Sequence, residues 1–149
     1  MVHDYNKFPE LTNEQLQTEQ FSSPHVQITE DFEAEVVKVH DGDTITLRVP
    51  FRDFDFPLRF LNIDSPEMNA GGEIARDWVK SQIEGKKVQI RIDKKNRVGK
   101  YGRLLGVVIG NGVDIGAMEI RLGYCKPYGK KLEGQLPIMD KIFSMKQWF

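Results

Sequence analysis

Apolar and polar residues alternate with a period of two over several short stretches from about Phe32 onward. Ala34, Val36 and Lys38 interleave with Glu35, Val37 and Val39; Ile45, Leu47 and Val49 with Thr46 and Arg48; Leu58, Phe60 and Asn62 with Arg59, Leu61 and Ile63. Val88, Ile90 and Ile92 continue the pattern. Leu104–Ile109 supplies a fifth run that stops at Gly110-Asn111-Gly112, a tight-turn signal. Such runs of β-branched and aromatic residues predict strands, because successive side chains of an extended chain point to opposite faces. The Pro50–Pro57 stretch, carrying Phe51, Phe54 and Phe56, is expected to connect the second and third strands as a hairpin loop.

After the third strand the period changes. Ile74, Trp78, Val79 and Ile83 recur at helical spacing, and Gly85 stands where a left-handed C-cap is wanted. Asp114 is placed to cap a second helix that runs to Leu122 and closes at Gly123. Leu136–Trp148 is expected to form a third helix, with Ile138, Ile142, Met145 and Phe149 in one stripe and Pro137 in its first turn. Residues 1–30 lack sustained apolar periodicity, although Leu11–Leu16 can open a short helix capped by Thr12, with Gln15 reaching back. Five short strands with a helix after the third predict an α+β fold: a five-stranded OB-fold-like Greek-key β-barrel with about three helices. Residues 1–30 then form an acidic N-terminal arm of uncertain order, and residues 31–149 the folded domain.

A chain of 149 residues, 40% apolar and 29% charged, suits one globular domain with one core. No apolar run reaches bilayer-spanning length, and Met1–Lys7 lacks the basic-then-apolar pattern of a secretory signal. A cytoplasmic location is the expectation, with secretion of a trimmed form left open. The single cysteine, Cys125, excludes an internal disulfide and is expected to be a quiet, partly buried thiol. The net charge of −1 conceals an asymmetry: residues 1–35 hold eight acidic side chains and one basic, against fourteen acidic and twenty basic in residues 36–149. A basic body suits a polyanionic partner. The acidic arm ahead of it is read as a solubilising tail, a mask over the basic surface, or a docking segment for a protein partner. Nothing in the pattern fixes an oligomeric state.

Candidate chemistry concentrates in four strings: Asp41-Gly-Asp-Thr44, Leu58-Arg-Phe60, Asp64-Ser-Pro-Glu67 and Lys100-Tyr-Gly-Arg103. Asp41 and Asp43 precede a strand and Asp64 and Glu67 follow one, so neighbouring strand ends would bring them together. Asp43, Asp64 and the Ser65 carbonyl would make an oxygen half-shell for Ca²⁺ with room for water and phosphate; the same strings are also ordinary turn formers. His3, His25 and His40 are isolated and give no zinc pattern. Arg59 interrupts an apolar strand. On the outer face it is a solvated charge; on the inner face it needs an anion, and a guanidinium fork matches two phosphate oxygens. Between Lys86 and Arg103 lie eight basic residues and one acid, Asp93. Lys94, Lys95, Arg97 and Lys100 thus form either a solvated loop or a track for a phosphate backbone, with Tyr101 offering a hydroxyl or a stacking face.

Taken in order, Asp-Gly-Asp-Thr, Leu-Arg-Phe-Leu-Asn-Ile-Asp-Ser-Pro-Glu and Lys-Tyr-Gly-Arg resemble the staphylococcal nuclease (thermonuclease) family over roughly Glu35 to Tyr128. The resemblance implies a Ca²⁺-dependent phosphodiesterase acting on DNA and RNA to leave 3′-phosphate and 5′-hydroxyl ends. It assigns Asp43, Asp64 and the Ser65 carbonyl to the metal, Arg59, Glu67 and Arg103 to catalysis, and Asp41 to the position of a supporting acid. Lys100 and Tyr101 fall where the family holds a terminal nucleotide phosphate, and Tyr128 loosely matches its base pocket. Ser65 stands where the family commonly has Thr, and the loop Met68–Gly72 is short. The competing class is a non-catalytic nuclease-like module that binds nucleic acid or protein, as in Tudor-associated repeats, which typically lack the metal and arginine set.

Overall fold

The computed structural model describes residues 9–16, 25–99 and 102–128. In chain order the elements are α1 (Asn13–Leu16), β1 (Phe32–Asp41), β2 (Thr44–Arg48), β3 (Phe56–Phe60), β4 (Ile63–Asp64), a 3₁₀ turn (Met68–Ala70), α2 (Gly72–Ile83), β5 (Lys87–Arg91), β6 (Leu104–Gly110), β7 (Val113–Asp114), α3 (Ile115–Leu122) and β8 (Lys126–Pro127). The five period-two runs became the five long strands. They lie in the order β3-β2-β1-β5-β6, each antiparallel to its neighbour. The barrel closes where β3 meets β6 in parallel, with Leu58 opposite Leu104, Arg59 opposite Leu105 and Phe60 opposite Gly106. The expected α+β barrel is therefore the observed one. Two short ladders decorate it: β7 extends β6, and β4 pairs with β8 through Ile63–Pro127 and Asp64–Lys126.

Alternating side chains of these strands fill the interior: Val36, Ile45, Leu47, Phe56, Leu58, Phe60, Ile90 and Leu104 are fully or almost fully buried. The phase in β1 differs from simple alternation. The pairing of β1 with β2 slips between Val36 and Lys38, so Val37 is the extra residue of a bulge. Lys38 consequently faces out and Val39 faces in, opposite to the face that strict alternation assigns them. A second slip between Val39 and Asp41 turns the strand end, where the first candidate carboxylates lie.

Helix α2 closes one barrel end with Ala75, Val79 and Ile83. Ile74, expected in that stripe, is instead exposed, because the buried face runs along the Ala75–Val79–Ile83 line. Trp78 is half-buried and packs on Tyr124 with ring centroids 6.0 Å apart. Helix α3 begins as expected: Asp114 Oδ1 accepts the Ala117 amide at 3.0 Å, and Gly123 ends the helix at φ 82°. Thr12 and Gln15 make the anticipated reciprocal box around α1, with Gln15 N donating to Thr12 Oγ1 and Thr12 N to Gln15 Oε1. The helix expected over Leu136–Trp148 lies outside the described residues.

Gly106 sits at the closing seam. A Cβ there would lie 2.7 Å from Ile90 Cγ2 and 3.2 Å from Leu58 Cδ1, so only glycine lets β6 approach the layer beneath it. Gly106→Ala is expected to destabilise the fold by about 1–3 kcal/mol through overpacking, read as a lower urea midpoint at unchanged m-value.

Candidate active site

The site grows from the β1–β2 turn. Asp43 N donates to Asp41 Oδ1 at 2.9 Å, which curls the turn and sets the two carboxyls side by side. Gly42 is required by close packing: a Cβ would meet Glu119 Oε2 at 2.7 Å, Ala75 Cβ at 2.8 Å and Ser65 Oγ at 2.8 Å. The turn is thereby pressed against α2, α3 and the segment after β4. Asp43, almost fully buried, accepts three donors: Ser65 N at 2.9 Å, Thr44 Oγ1 at 2.9 Å and Arg59 Nη2 at 3.2 Å. Its carbonyl also accepts the Phe60 amide at 2.8 Å. Asp-Gly-Asp-Thr is thus the turn its composition predicts, and that turn carries the two candidate carboxylates.

Arg59 settles between the alternatives drawn from sequence. It leaves the outer face of β3, but its guanidinium folds over the strand end and is only 17% exposed. The same Nη2 that meets Asp43 Oδ2 lies 3.4 Å from Asp64 Oδ1, and the guanidinium carbon stands 5.2 Å from the centroid of the Tyr128 ring. Asp64 and Tyr128 reach this point because the β4–β8 ladder joins their segments and Tyr128 N donates to the Asn62 carbonyl at 2.9 Å. Arg59, Arg103, Asn62, Gly99, Leu105 and Tyr128 line one cleft of about 470 Å³. Arg103 is half-buried there; burial, and then the neighbouring Arg59 charge, lower its pKa, while Asp43 and Asp41 oppose that shift. Glu67 is exposed two residues beyond Ser65, at the entry to the 3₁₀ turn. Its carbonyl accepts the Ala70 and Gly72 amides, each at 2.9 Å. Lys100 and Tyr101 lie outside the described residues.

The carboxyl pair is electrostatically loaded. Burial, and then the hydrogen-bonded Asp43, push Asp41 up to about 6. Burial works on Asp43 in the same sense. The hydrogen bond with Asp41, the Ser65 amide and the Arg59 charge outweigh it, and they hold Asp43 below the ordinary carboxylate range. Among the described residues no three His, Cys, Asp or Glu side chains form a ready cage for a metal. The donor set is instead an open one, with Asp43 and Asp64 converging on a single cationic nitrogen and Asp41 crowded behind. That arrangement suits a hard cation that keeps water and substrate oxygens in its shell, because a further positive charge would offset the desolvation and crowding that raise Asp41.

One buried group beneath the turn escaped the sequence reading. Glu119, on the inner face of α3, is fully buried, and its Oε1 has no hydrogen-bond partner among the described residues. Cys125 Sγ donates to its Oε2 at 2.9 Å. Burial pushes Glu119 up to about 9, with Asp43 and Asp41 adding to the effect, and burial together with Glu119 raises the Cys125 thiol as well. Cys125 is therefore the quiet thiol expected of it. The one available signal for Glu119 was an acid four residues after Ile115, on the apolar side of a short helix.

The basic loop needs a correction. Arg97 does not face outward with Lys94 and Lys95: it is 3% exposed and its guanidinium meets Glu10 Oε2 at 2.8 Å. A buried charge takes a buried partner, and that partner comes from the N-terminal segment.

A family model described as staphylococcal nuclease homologue matches residues 57–141, more than half of the chain. The chain belongs to the staphylococcal nuclease family. Arg59, Asp64, Ser65, Glu67, Arg103 and Tyr128 fall inside the matched residues, whereas Asp41 and Asp43 precede them. The chain is 31% identical over 130 residues to endonuclease YncB of Bacillus subtilis, covering 77% of this chain and 58% of that protein. It is 38% identical over 79 residues to a micrococcal nuclease of Shigella flexneri, covering 52% of this chain and 42% of that protein. With endonuclease YhcR of Bacillus subtilis it shares 30% identity over 112 residues, covering 66% of this chain and 9% of that protein. The chain thus spans less than two thirds of each of these relatives.

Glu119 supplies a pH test. Its ordinary pKa of 4.5 is that of the unfolded chain, and its folded value is about 9. Between these the folded state holds a proton that the unfolded state releases, so stability falls as pH rises, by at most about 1.4 kcal/mol per pH unit. Melting temperatures from about pH 5 to about pH 9 should decline for the natural chain and decline less steeply for Glu119→Gln, which keeps the neutral shape and leaves the smaller contribution of Asp41.

Proposed function

We propose that the protein is a calcium-dependent nuclease that hydrolyses phosphodiester bonds of DNA and RNA and leaves 3′-phosphate and 5′-hydroxyl ends. The observation that carries this reading is Arg59 Nη2 shared between Asp43 Oδ2 at 3.2 Å and Asp64 Oδ1 at 3.4 Å, at the mouth of a cleft that Arg103 also lines. Two carboxylates bridged by one arginine form a charge pair that a phosphate and its cation can exchange into: the cation takes the oxygens and the phosphate takes the guanidinium. Asp43, Asp64 and the Ser65 carbonyl would hold the calcium. When bound, it supplies positive charge beside the scissile phosphate.

The remaining steps belong to the chain's own groups. Arg59 and Arg103 donate to the phosphate oxygens, and they matter most where negative charge grows on those oxygens during displacement. Glu67, exposed and therefore open to solvent, accepts or steers the proton of the attacking water. Tyr128 covers the Arg59 guanidinium with one face and remains about half exposed, which leaves aromatic surface for a base. Lys100 and Tyr101 are assigned to a terminal phosphate on the strength of their motif alone. Residues 31–149 make the nuclease-like domain in this reading, preceded by the acidic arm.

The Asp41–Asp43 pair facing two arginines favours the enzyme over a binding-only module, and cleavage assays separate the two classes. Arg59→Ala and Arg103→Ala should each lower calcium-stimulated turnover by about 10²–10³-fold. Chelation by EDTA should abolish cleavage, and end-group analysis should find 3′-phosphates. Oligonucleotide binding without calcium-stimulated cleavage by the natural chain would leave the binding module as the answer.

A further inference from the structure

We propose that Glu10 is a positioning residue that holds Arg103 in place, so that the N-terminal segment is a working part of the active site. This inference rests on the nuclease reading for its kinetic consequence and on geometry for everything else.

Glu10 is fully buried, and its carboxylate is completely engaged. Oε1 meets Arg52 Nη2 at 2.7 Å, and Oε2 meets Arg97 Nη2 at 2.8 Å and the Ile28 amide at 2.9 Å. Both guanidiniums are 2% exposed in their side chains. Arg52 lies over the Phe56 ring at 4.5 Å, which fixes that end of the triad to the barrel core. Arg97 fixes the other end: it also donates to the Ile28 carbonyl at 2.7 and 2.9 Å and to the Leu11 carbonyl. One carboxylate therefore joins β3, through Arg52 and Phe56, to the loop before β6, through Arg97. Removing one partner from a buried charge network leaves the others uncompensated, so the three side chains hold one another in place.

The loop so gripped is the one that presents Arg103. Its two limbs are bonded to each other: Gly99 N donates to the Arg103 carbonyl at 2.8 Å, Leu105 N to the Arg97 carbonyl at 2.9 Å, and Val98 bridges Leu104. Glu10 touches both limbs. Its side chain takes Arg97 on the first, and its backbone N donates to the carbonyl of Gly102, the residue before Arg103, at 3.1 Å. Asn13 Nδ2 adds a bond to the Lys94 carbonyl at 2.7 Å. The strap thus constrains the loop on three sides, and the cleft is lined by the same loop at Gly99 and Arg103. A displacement of about 1 Å in such a group costs about 10²-fold in rate.

The test measures kcat, KM and local protection in the full chain. Glu10→Gln keeps the size of the side chain and removes the charge that orients both arginines. It is expected to lower kcat about 10- to 100-fold with KM nearly unchanged, and to add little further loss in an Arg103→Ala background. Glu10→Asp retains the buried charge and hence the fold while retracting the carboxylate. It should show the same non-additivity at smaller amplitude. Hydrogen exchange gives a readout independent of turnover: the Gly99 and Gly102 amides should exchange faster in both variants while barrel amides such as Ile45 and Val108 stay protected. Equal kcat losses in both backgrounds, or unchanged exchange at Gly99 and Gly102, overturn the proposal. If the natural chain does not cleave, the nuclease reading fails by itself, and the exchange data still decide whether Glu10 orders the loop.

Discussion

The Asp43 carboxylate is the knot of this structure. It is a negative charge taken almost wholly out of water, at a desolvation cost of several kcal/mol. Three donors from three places in the chain offset that cost: the Thr44 hydroxyl from its own turn, the Arg59 guanidinium from β3 and the Ser65 amide from beyond β4. The same residue's carbonyl pairs with Phe60. Because these donors belong to separate strand ends, satisfying one carboxylate fixes the relative position of all of them. The arrangement of the candidate site follows from a structural need, namely that a buried anion be fully hydrogen-bonded.

Charge is distributed unevenly over the two ends of the barrel. On the Asp43 side three acids, Asp41, Asp43 and Glu119, crowd together; Glu119 is held neutral by its burial, and Asp41 ionises only above about pH 6. On the Glu10 side one acid faces two arginines and the local balance is positive. The first cluster is under-compensated and so is ready to accept a cation. In the second both carboxylate oxygens are engaged by buried donors, which hold the cluster in one arrangement. Arg103 stands between them, drawn electrostatically by the first and anchored through its loop to the second.

The strands were legible because burying one face imposes a period of two that survives in the sequence as Ile45-Thr-Leu47 or Phe56-Pro-Leu-Arg-Phe60. The β1 bulge was not, since inserting Val37 changes the phase without changing composition. The parallel seam between β3 and β6 was also hidden, because pairing partners 46 residues apart leave no local mark. The site residues were readable as strings, each being a compact turn with its own chemistry. Their convergence followed from the pattern only if the strands were neighbours, and the family likeness supplied that condition. Glu10 and Arg97 could not be found that way: a lone acid after a proline and one arginine in a basic run each look solvated, and only the fold shows that they meet across 87 positions. Ile74 misled because α2 presents its small residue, Ala75, to the barrel in preference to the larger side chain beside it.

The two ladders that complete the site have a further consequence, for biogenesis. Leu58 finds its partner at Leu104 and Asp64 at Lys126, so contacts that build the cleft span a large fraction of the chain. Contacts of such sequence separation form slowly and late. A ribosome that has released residues through Glu67 has produced nearly all the candidate acids, but neither the seam nor the β8 strand that orient them. The nascent chain therefore carries its candidate acids before the strands that orient them exist, and the cleft takes shape only once both ladders can pair.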